Sequence, residues 1–281
     1  MKKIILTLII LTFFNYTNAQ KILTSDITNF WTAYDSIQKA NSNKNEILEN
    51  LFLNKKTEGL NAFMQIKKFD KDDYLKAFEK YPQFWNSIRP NTLIDAKKIK
   101  TINKALTKLK KLYPNNSKGN IYYTIGTLKS GGTTNDEDLL LGIEKIVGNE
   151  NTIVSEFENE NLKKMFQFSK TTTIEQVTIH EFVHTFQNDG EINVLSKAIK
   201  EGSCDFVAEL TLNKKFNSHY IDYGFKNYEQ IKFQFKSEMF SQNFGNWFYN
   251  SDLSKNPDLG YFVGYVVSKK YYKTLKTKKR Q

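Results

Sequence analysis

Residues 180–184 read His-Glu-Phe-Val-His, and they contain two of only three histidines in a chain of 281 residues. The surrounding stretch, Thr173 to Gln187, has helical spacing, and Thr173 with Gln176 has the form of a capping box. On a helix His180 and His184 lie one turn apart and point the same way. Two imidazoles so placed can bind one Zn²⁺ through nitrogen at about 2.0–2.1 Å. Glu181 is turned about 100° from His180 on the helix, beside the metal without facing it, where it can take a proton from a zinc-bound water. A catalytic zinc takes three protein ligands. Glu201 follows His184 by 17 positions, in the run Glu201-Gly202-Ser203-Cys204-Asp205-Phe206. That run falls on a second predicted helix, Val194 to Asn213, with Leu195, Ala198 and Ile199 on its apolar side. Asn188-Asp189-Gly190 is a turn signal between the two. Helix, turn and antiparallel helix bring Glu201 back over the histidines. Asp205, one turn further, can accept the second ring N–H of a ligating histidine. Two hydrogen-bonded histidines on a core helix are the other reading of the motif, and it leaves Glu201 and Asp205 unexplained.

Whatever folds around this pair must be largely helical. Ile27, Phe30, Trp31, Tyr34 and Ile37 form an apolar stripe at helical spacing, with Ser25 or Asp26 as its cap. Similar stripes run through Ile47 to Leu53, Tyr74 to Ile88 and Leu93 to Leu112, the last punctuated by Pro90 and Pro114. Asn120 to Leu128 is rich in β-branched and aromatic residues and reads as a strand. Ser130 to Thr134 follows as a turn, and Leu139 to Val147 reads as a second strand. Helices return after residue 157. The class is α+β, mostly α, with a small sheet between helical blocks.

Lys2 and Lys3, the apolar run Ile4 to Phe14 and a small residue at Ala19 read as a signal peptide covering residues 1–19. The run is too short for a spanning helix. The mature chain, 20–281, is expected to be exported to the periplasm or beyond, with no membrane span and a single domain. One cysteine rules out a disulfide scaffold and a cysteine-cluster metal site. The net charge of +11 accompanies lysine throughout the chain. Lys108, Lys110 and Lys111 interleave with apolar residues as on a solvated helix face. No nucleic-acid-binding motif accompanies the charge. The lysine-rich tail, Lys269 to Arg280, is expected to fray.

His180-Glu-Phe-Val-His184 followed by Glu201-Gly-Ser-Cys-Asp205 resembles the thermolysin-like and aminopeptidase-like zinc metallopeptidases, the gluzincins. Their third ligand is a glutamate on the next helix, with a supporting aspartate beyond it. NIYYTIGTLKSGGTT, LLLGIE, TIHEFVHTFQ, EGSCDFVAEL and LGYFVGYVVSKKYY follow in the order of a family of predicted zinc-dependent proteases that is similar to the gliding-motility lipoprotein of the B type. The resemblance covers roughly residues 24–274. It implies a zincin-like core, zinc as cofactor, and a peptide or protein as substrate. The chain departs from the lipoprotein in lacking a lipid-attachment cysteine. It departs from the better known peptidases in the short spacing between His184 and Glu201.

The expected activity is therefore peptide hydrolysis, with His180, His184 and Glu201 as zinc ligands, Asp205 behind them and Glu181 as general base. Tyr261, in an aromatic-rich predicted helix that reaches Lys273, is a candidate to hold the oxyanion, with core packing as its other reading. Asn120 to Leu128 is expected as the sheet edge nearest the cleft, and Gly131 and Gly132 would let a peptide backbone approach. Cys204 reads as a small buried packing residue, Glu209 as a surface or supporting group, and His219 as a solvated loop histidine. Two rival readings are a non-enzymatic envelope component that keeps the fold, and a zinc hydrolase of non-peptide amides.

Overall fold

Aromatic side chains organise the N-terminal half. Phe30 is fully buried, and the rings of Trp31, Trp85, Phe78 and Phe52 surround it at 4.9–5.6 Å between centroids. Burying several such rings together is the main drive for the helices that carry them to converge. The computed structural model describes residues 20–115, 118–169, 172–188, 190–251 and 253–278. The expected signal peptide, Asp189 of the expected turn, and the last residues of the lysine-rich tail lie outside them. After a short strand β1 (Ile22–Leu23) come six helices: α1 (Ser25–Lys39), α2 (Lys44–Leu51), α3 (Glu58–Lys67), α4 (Lys71–Lys80), α5 (Pro82–Thr92) and α6 (Ala96–Leu112). A small sheet follows: β2 (Ile121–Thr124), β3 (Gly132–Asn135) and β4 (Asp138–Gly142). The chain ends in α7 (Glu160–Ser169), α8 (Ile174–His184), α9 (Val194–Leu212), α10 (His219–Lys226), α11 (Tyr228–Glu238) and α12 (Leu259–Lys278). The class is α+β and mostly helical. Among the described residues no helix is long and apolar enough to cross a membrane.

Several local expectations need correction. Neither Ser25 nor Asp26 caps α1; the cap is Thr24, without a side-chain bond. Asp26 is buried instead, and its carboxylate accepts from the Thr57 amide at 3.0 Å and the Thr57 hydroxyl at 2.5 Å. Thr57 in turn caps α3 by accepting from the Leu60 amide at 3.1 Å, so a buried carboxylate ties α1 to α3. The stripe from Tyr74 to Ile88 is two helices, because Pro82 has no N–H to continue α4 and starts α5 instead. Pro90 lies inside α5 rather than before α6. Lys108 is half-exposed rather than free in solvent: its ammonium donates to the Leu210 carbonyl at 2.5 Å, in the last turn of α9. Ile199 is 40% exposed, so the buried side of α9 runs through Ala198 instead. The tail stays helical to Lys278, and Lys269 is held by Glu209 at 2.5 Å.

The sheet order is β1-β2-β4-β3, with β2 parallel to β1 and β4, and β3 antiparallel to β4. Residues 120–128 therefore do not form the sheet edge. Only 121–124 are strand, and all four are buried, as befits an interior parallel strand. The edges are β1 and β3, and β3 lies in the segment expected as a turn. Its Gly-Thr-Thr-Asn sequence is half-exposed and has no apolar alternation. A two-residue loop with Asp136 at φ 51° joins β3 to β4. The second strand ends at Gly142, and a 3-10 turn, Ile143–Lys145, replaces its expected end. Glu144 in that turn is fully buried and accepts from the Gly126 and Leu128 amides at 3.0 and 3.1 Å, which pins the loop after β2.

Helices α9 and α12 cross with their backbones in contact. A Cβ on Gly264 would fall 1.6 Å from the Ala198 carbonyl oxygen, and one on Gly202 would fall 2.1 Å from the Tyr265 nitrogen. No rotamer change relieves a clash with backbone. Gly264→Ala is therefore expected to destabilise the protein by about 3 kcal/mol, the upper end of ordinary overpacking costs. Thermal and urea melts check this, and an unchanged midpoint would mean that the helices do not meet at these glycines.

Candidate metal centre

Helix α8 is fixed at both ends. At its start the Gln176 amide donates to the Thr173 hydroxyl at 3.4 Å, and the Gln176 side-chain oxygen accepts from the Thr173 amide at 3.2 Å. In its middle the Tyr123 hydroxyl of β2 meets the Thr178 hydroxyl at 2.5 Å, anchoring the helix on the sheet. Helical geometry ends at His184, and the chain turns so that Gln187 comes back under that histidine. α9 starts from an Asn193 cap, with its side chain accepting from the Ser196 amide at 2.8 Å.

The crossing of α8 and α9 brings three donors together. The Nε2 atoms of His180 and His184 are 3.2 Å apart. One carboxylate oxygen of Glu201 stands 3.5 Å from the first and 3.3 Å from the second. Donors about 2.0–2.1 Å from a shared tetrahedral centre stand about 3.3–3.4 Å apart, so the triangle has the size of one face of a zinc shell. The outer ring nitrogens are also occupied. His180 Nδ1 lies 2.7 Å from Asp205 Oδ1, and His184 Nδ1 lies 2.7 Å from Gln187 Oε1. Both partners are acceptors, so in its neutral form each ring carries its proton on Nδ1 and leaves Nε2, on the Glu201 side, as the nitrogen that can bind a metal. Gln187 is oriented by donating to the Lys200 carbonyl at 2.8 Å and the Ser203 hydroxyl at 3.0 Å. The second oxygen of Asp205 accepts from the Tyr220 hydroxyl at 2.8 Å. Sequence reasoning missed Gln187 and the part played by Tyr220. Gln187 was within reach, lying one turn past His184; Tyr220 comes from α10, and no spacing signals it.

Cys204 is fully buried and also near the histidines. His180, His184 and Cys204 form a group with ligand atoms within 4.8 Å of one another, which could hold a metal ion. The thiol, however, lies 3.6 Å from His184 Nδ1, the nitrogen that Gln187 already engages, and it donates to the Lys200 carbonyl at 3.2 Å. Burial, with the Glu201 and Asp205 carboxylates nearby, pushes the thiol well above its usual range. Glu201, not Cys204, shares the Nε2 side. Two buried carboxylates, Glu201 and Asp205, lie against the His180 ring. Burial alone would lower His180, but the Asp205 and Glu201 carboxylates outweigh it and hold the imidazole well above its ordinary value. Burial alone would raise Glu201, but the two histidines bring its carboxyl down.

The centre opens into a cleft of about 440 Å³, with Glu181, Tyr261, Lys145, His219 and Tyr249 among its walls. A Cβ on Gly132 would be 3.6 Å from Glu181 Oε2, so Glu181 faces the edge strand β3; Gly131 lies against Lys145 and Ile146. The Tyr261 ring lies nearly parallel to His180, 6.1 Å between centroids, and its phenol is close to that of Tyr249. Burial and the Glu201 charge push the Tyr261 phenol well up, so it remains a proton donor. Tyr249 takes a left-handed backbone, φ 55°, which is costly for a bulky residue. Its amide donates to the Asp258 carboxylate at 2.6 Å, which holds the turn. His219 is not a solvated loop residue: it begins α10, half-buried, with Nε2 3.2 Å from the Pro257 carbonyl. Glu209 faces away from the centre and binds Tyr265 and Lys269. No family model, curated protein or solved structure matches the chain.

Proposed function

We propose that the protein is an exported zinc peptidase of the gluzincin type, built on a zincin-like core. The observation that carries this is the triangle of His180 Nε2, His184 Nε2 and Glu201 oxygen, with every outer nitrogen already engaged. Two imidazoles and a carboxylate suit zinc in a catalytic site. Zinc held there would supply a Lewis acid that polarises a carbonyl and brings the pKa of water to about 7. Glu181 sits beside this triangle with no hydrogen bond to its carboxylate among the described residues, and a purely structural site has no use for it. It takes the proton of the attacking water and passes it to the leaving amine. The Tyr261 phenol donates to the carbonyl oxygen as charge grows there. The free edge of β3, with no side chain at Gly131 and Gly132, receives the peptide backbone in extended form. Export rests on the sequence of residues 1–19.

The purified protein is expected to carry one zinc per chain and to cleave members of a peptide library. A chelator should abolish cleavage and added Zn²⁺ should restore it. A protein that takes up no zinc, or one that holds zinc and leaves the library intact, overturns the reading.

A further inference from the structure

Lys145 ends the 3-10 turn after β4 and lines the same cleft as His180 and Glu181. Among the described residues that line the cleft it is the one lysine or arginine. It is half-buried, and no hydrogen bond or ion pair among the described residues holds its ammonium. Its neighbour Glu144 is close enough to attract it through space, but both of that carboxylate's oxygens are taken by the Gly126 and Leu128 amides. The Asp205 and Asp258 carboxylates on the cleft wall are likewise engaged, by His180 with Tyr220 and by the Tyr249 amide. A half-buried ammonium with no hydrogen-bonded anion favours one brought by a ligand.

The strand fixes where that anion sits. Gly132, the first residue of β3, lies against Glu181, and Gly131, just before the strand, lies against Lys145. A peptide pairing antiparallel to β3 therefore passes Glu181 first and reaches Lys145 with the residues that follow in its own sequence. Parallel pairing would bring the N-terminal side, and for a short peptide its ammonium, toward Lys145, which like charge disfavours. On the peptidase reading above, we propose that Lys145 binds a substrate carboxylate on the leaving-group side of the cleaved bond, so that the cleft selects peptides with an anionic group close behind it. The C-terminal α-carboxylate and an acidic side chain share this chemistry.

Binding tests the proposal without turnover. The zinc-loaded Glu181→Gln protein is titrated calorimetrically with an acetylated, alanine-rich tetrapeptide as its free acid, as its C-terminal amide, and as an amide ending in glutamate. The acid is expected to bind about 10- to 100-fold more tightly than the plain amide, the range for a hydrogen bond to a charged group. A second Lys145→Met substitution should bring that ratio near unity, and Lys145→Arg should keep most of it, with zinc content and the far-UV spectrum unchanged in both. If the glutamate amide recovers the tight binding, side-chain carboxylates are accepted; if it binds like the plain amide, the α-carboxylate is required. An acid that binds no more tightly than its amide, or a preference that survives Lys145→Met, overturns the proposal. Hydrolysis of the same peptides by the wild-type protein is scored separately. Preference without hydrolysis sinks the peptidase reading and leaves Lys145 only as a carboxylate-binding residue of the cleft; hydrolysis without preference keeps the peptidase and overturns the role of Lys145.

Discussion

Glu181→Gln is expected to yield a protein that folds, holds zinc like the wild type and hydrolyses peptides at least about a hundredfold more slowly, the usual loss when a general base is removed. The separation of the two properties follows from geometry. Glu181 faces Gly132 of β3, while the donor triangle is made by His180, His184 and Glu201. An amide in place of the carboxylate keeps the shape of the side chain and cannot accept the proton. Metal analysis beside initial rates on a cleaved library peptide decides it. Activity equal to wild type removes Glu181 from the chemistry, and zinc lost along with activity would make it a ligand.

The second large effect distinguishes two carboxylates one turn apart on α9. Glu201→Ala removes one corner of the donor triangle and leaves two imidazoles, so zinc affinity should collapse. Asp205→Ala leaves the triangle intact and frees His180 to turn, which typically costs about 10–100-fold in affinity or activity. It also strands the Tyr220 hydroxyl in a buried setting, so a lower melting temperature should accompany it. Chelator titrations of both variants beside wild type make the comparison. Greater damage from Asp205→Ala would exchange the roles of the two residues, and indifference to both would remove α9 from the metal site.

The donor triangle could be read from the sequence because a helix turns spacing into direction. His180 with His184, and Glu201 with Asp205, are each one turn apart, so their placement needed only two helices and a return. Gln187 escaped because it lies past the end of α8, where helical phase no longer says where a side chain goes, although its distance from His184 hinted at it. The sheet was less legible. β2 is apolar and aromatic enough to show itself as a strand, but four residues do not reveal their neighbours, and its interior position follows from β1 and β4 on either side. β3 is polar and starts with glycine, the features of a turn, and becomes a strand only because β4 offers it a partner. α3 is hard to read from the sequence for a similar reason. Gly59 near its start weakens the local helical signal, yet it is there because the Tyr122 ring occupies the space that a Cβ would need, 2.1 Å away.

The bare-backbone contact at Gly202 and Gly264 has a mechanical consequence for the cleft. Side-chain layers between helices can slide by changing rotamers; two backbones in van der Waals contact have no such lubricant. Glu201 neighbours one of these glycines and Tyr261 lies one turn before the other, so the carboxylate proposed to bind metal and the phenol opposite are mounted on a single stiff jaw. The facing jaw carries β3, a half-exposed strand paired on one side only. Any accommodation of ligands of different bulk must then come from that softer side, and the metal donors would keep their spacing while the cleft changes width.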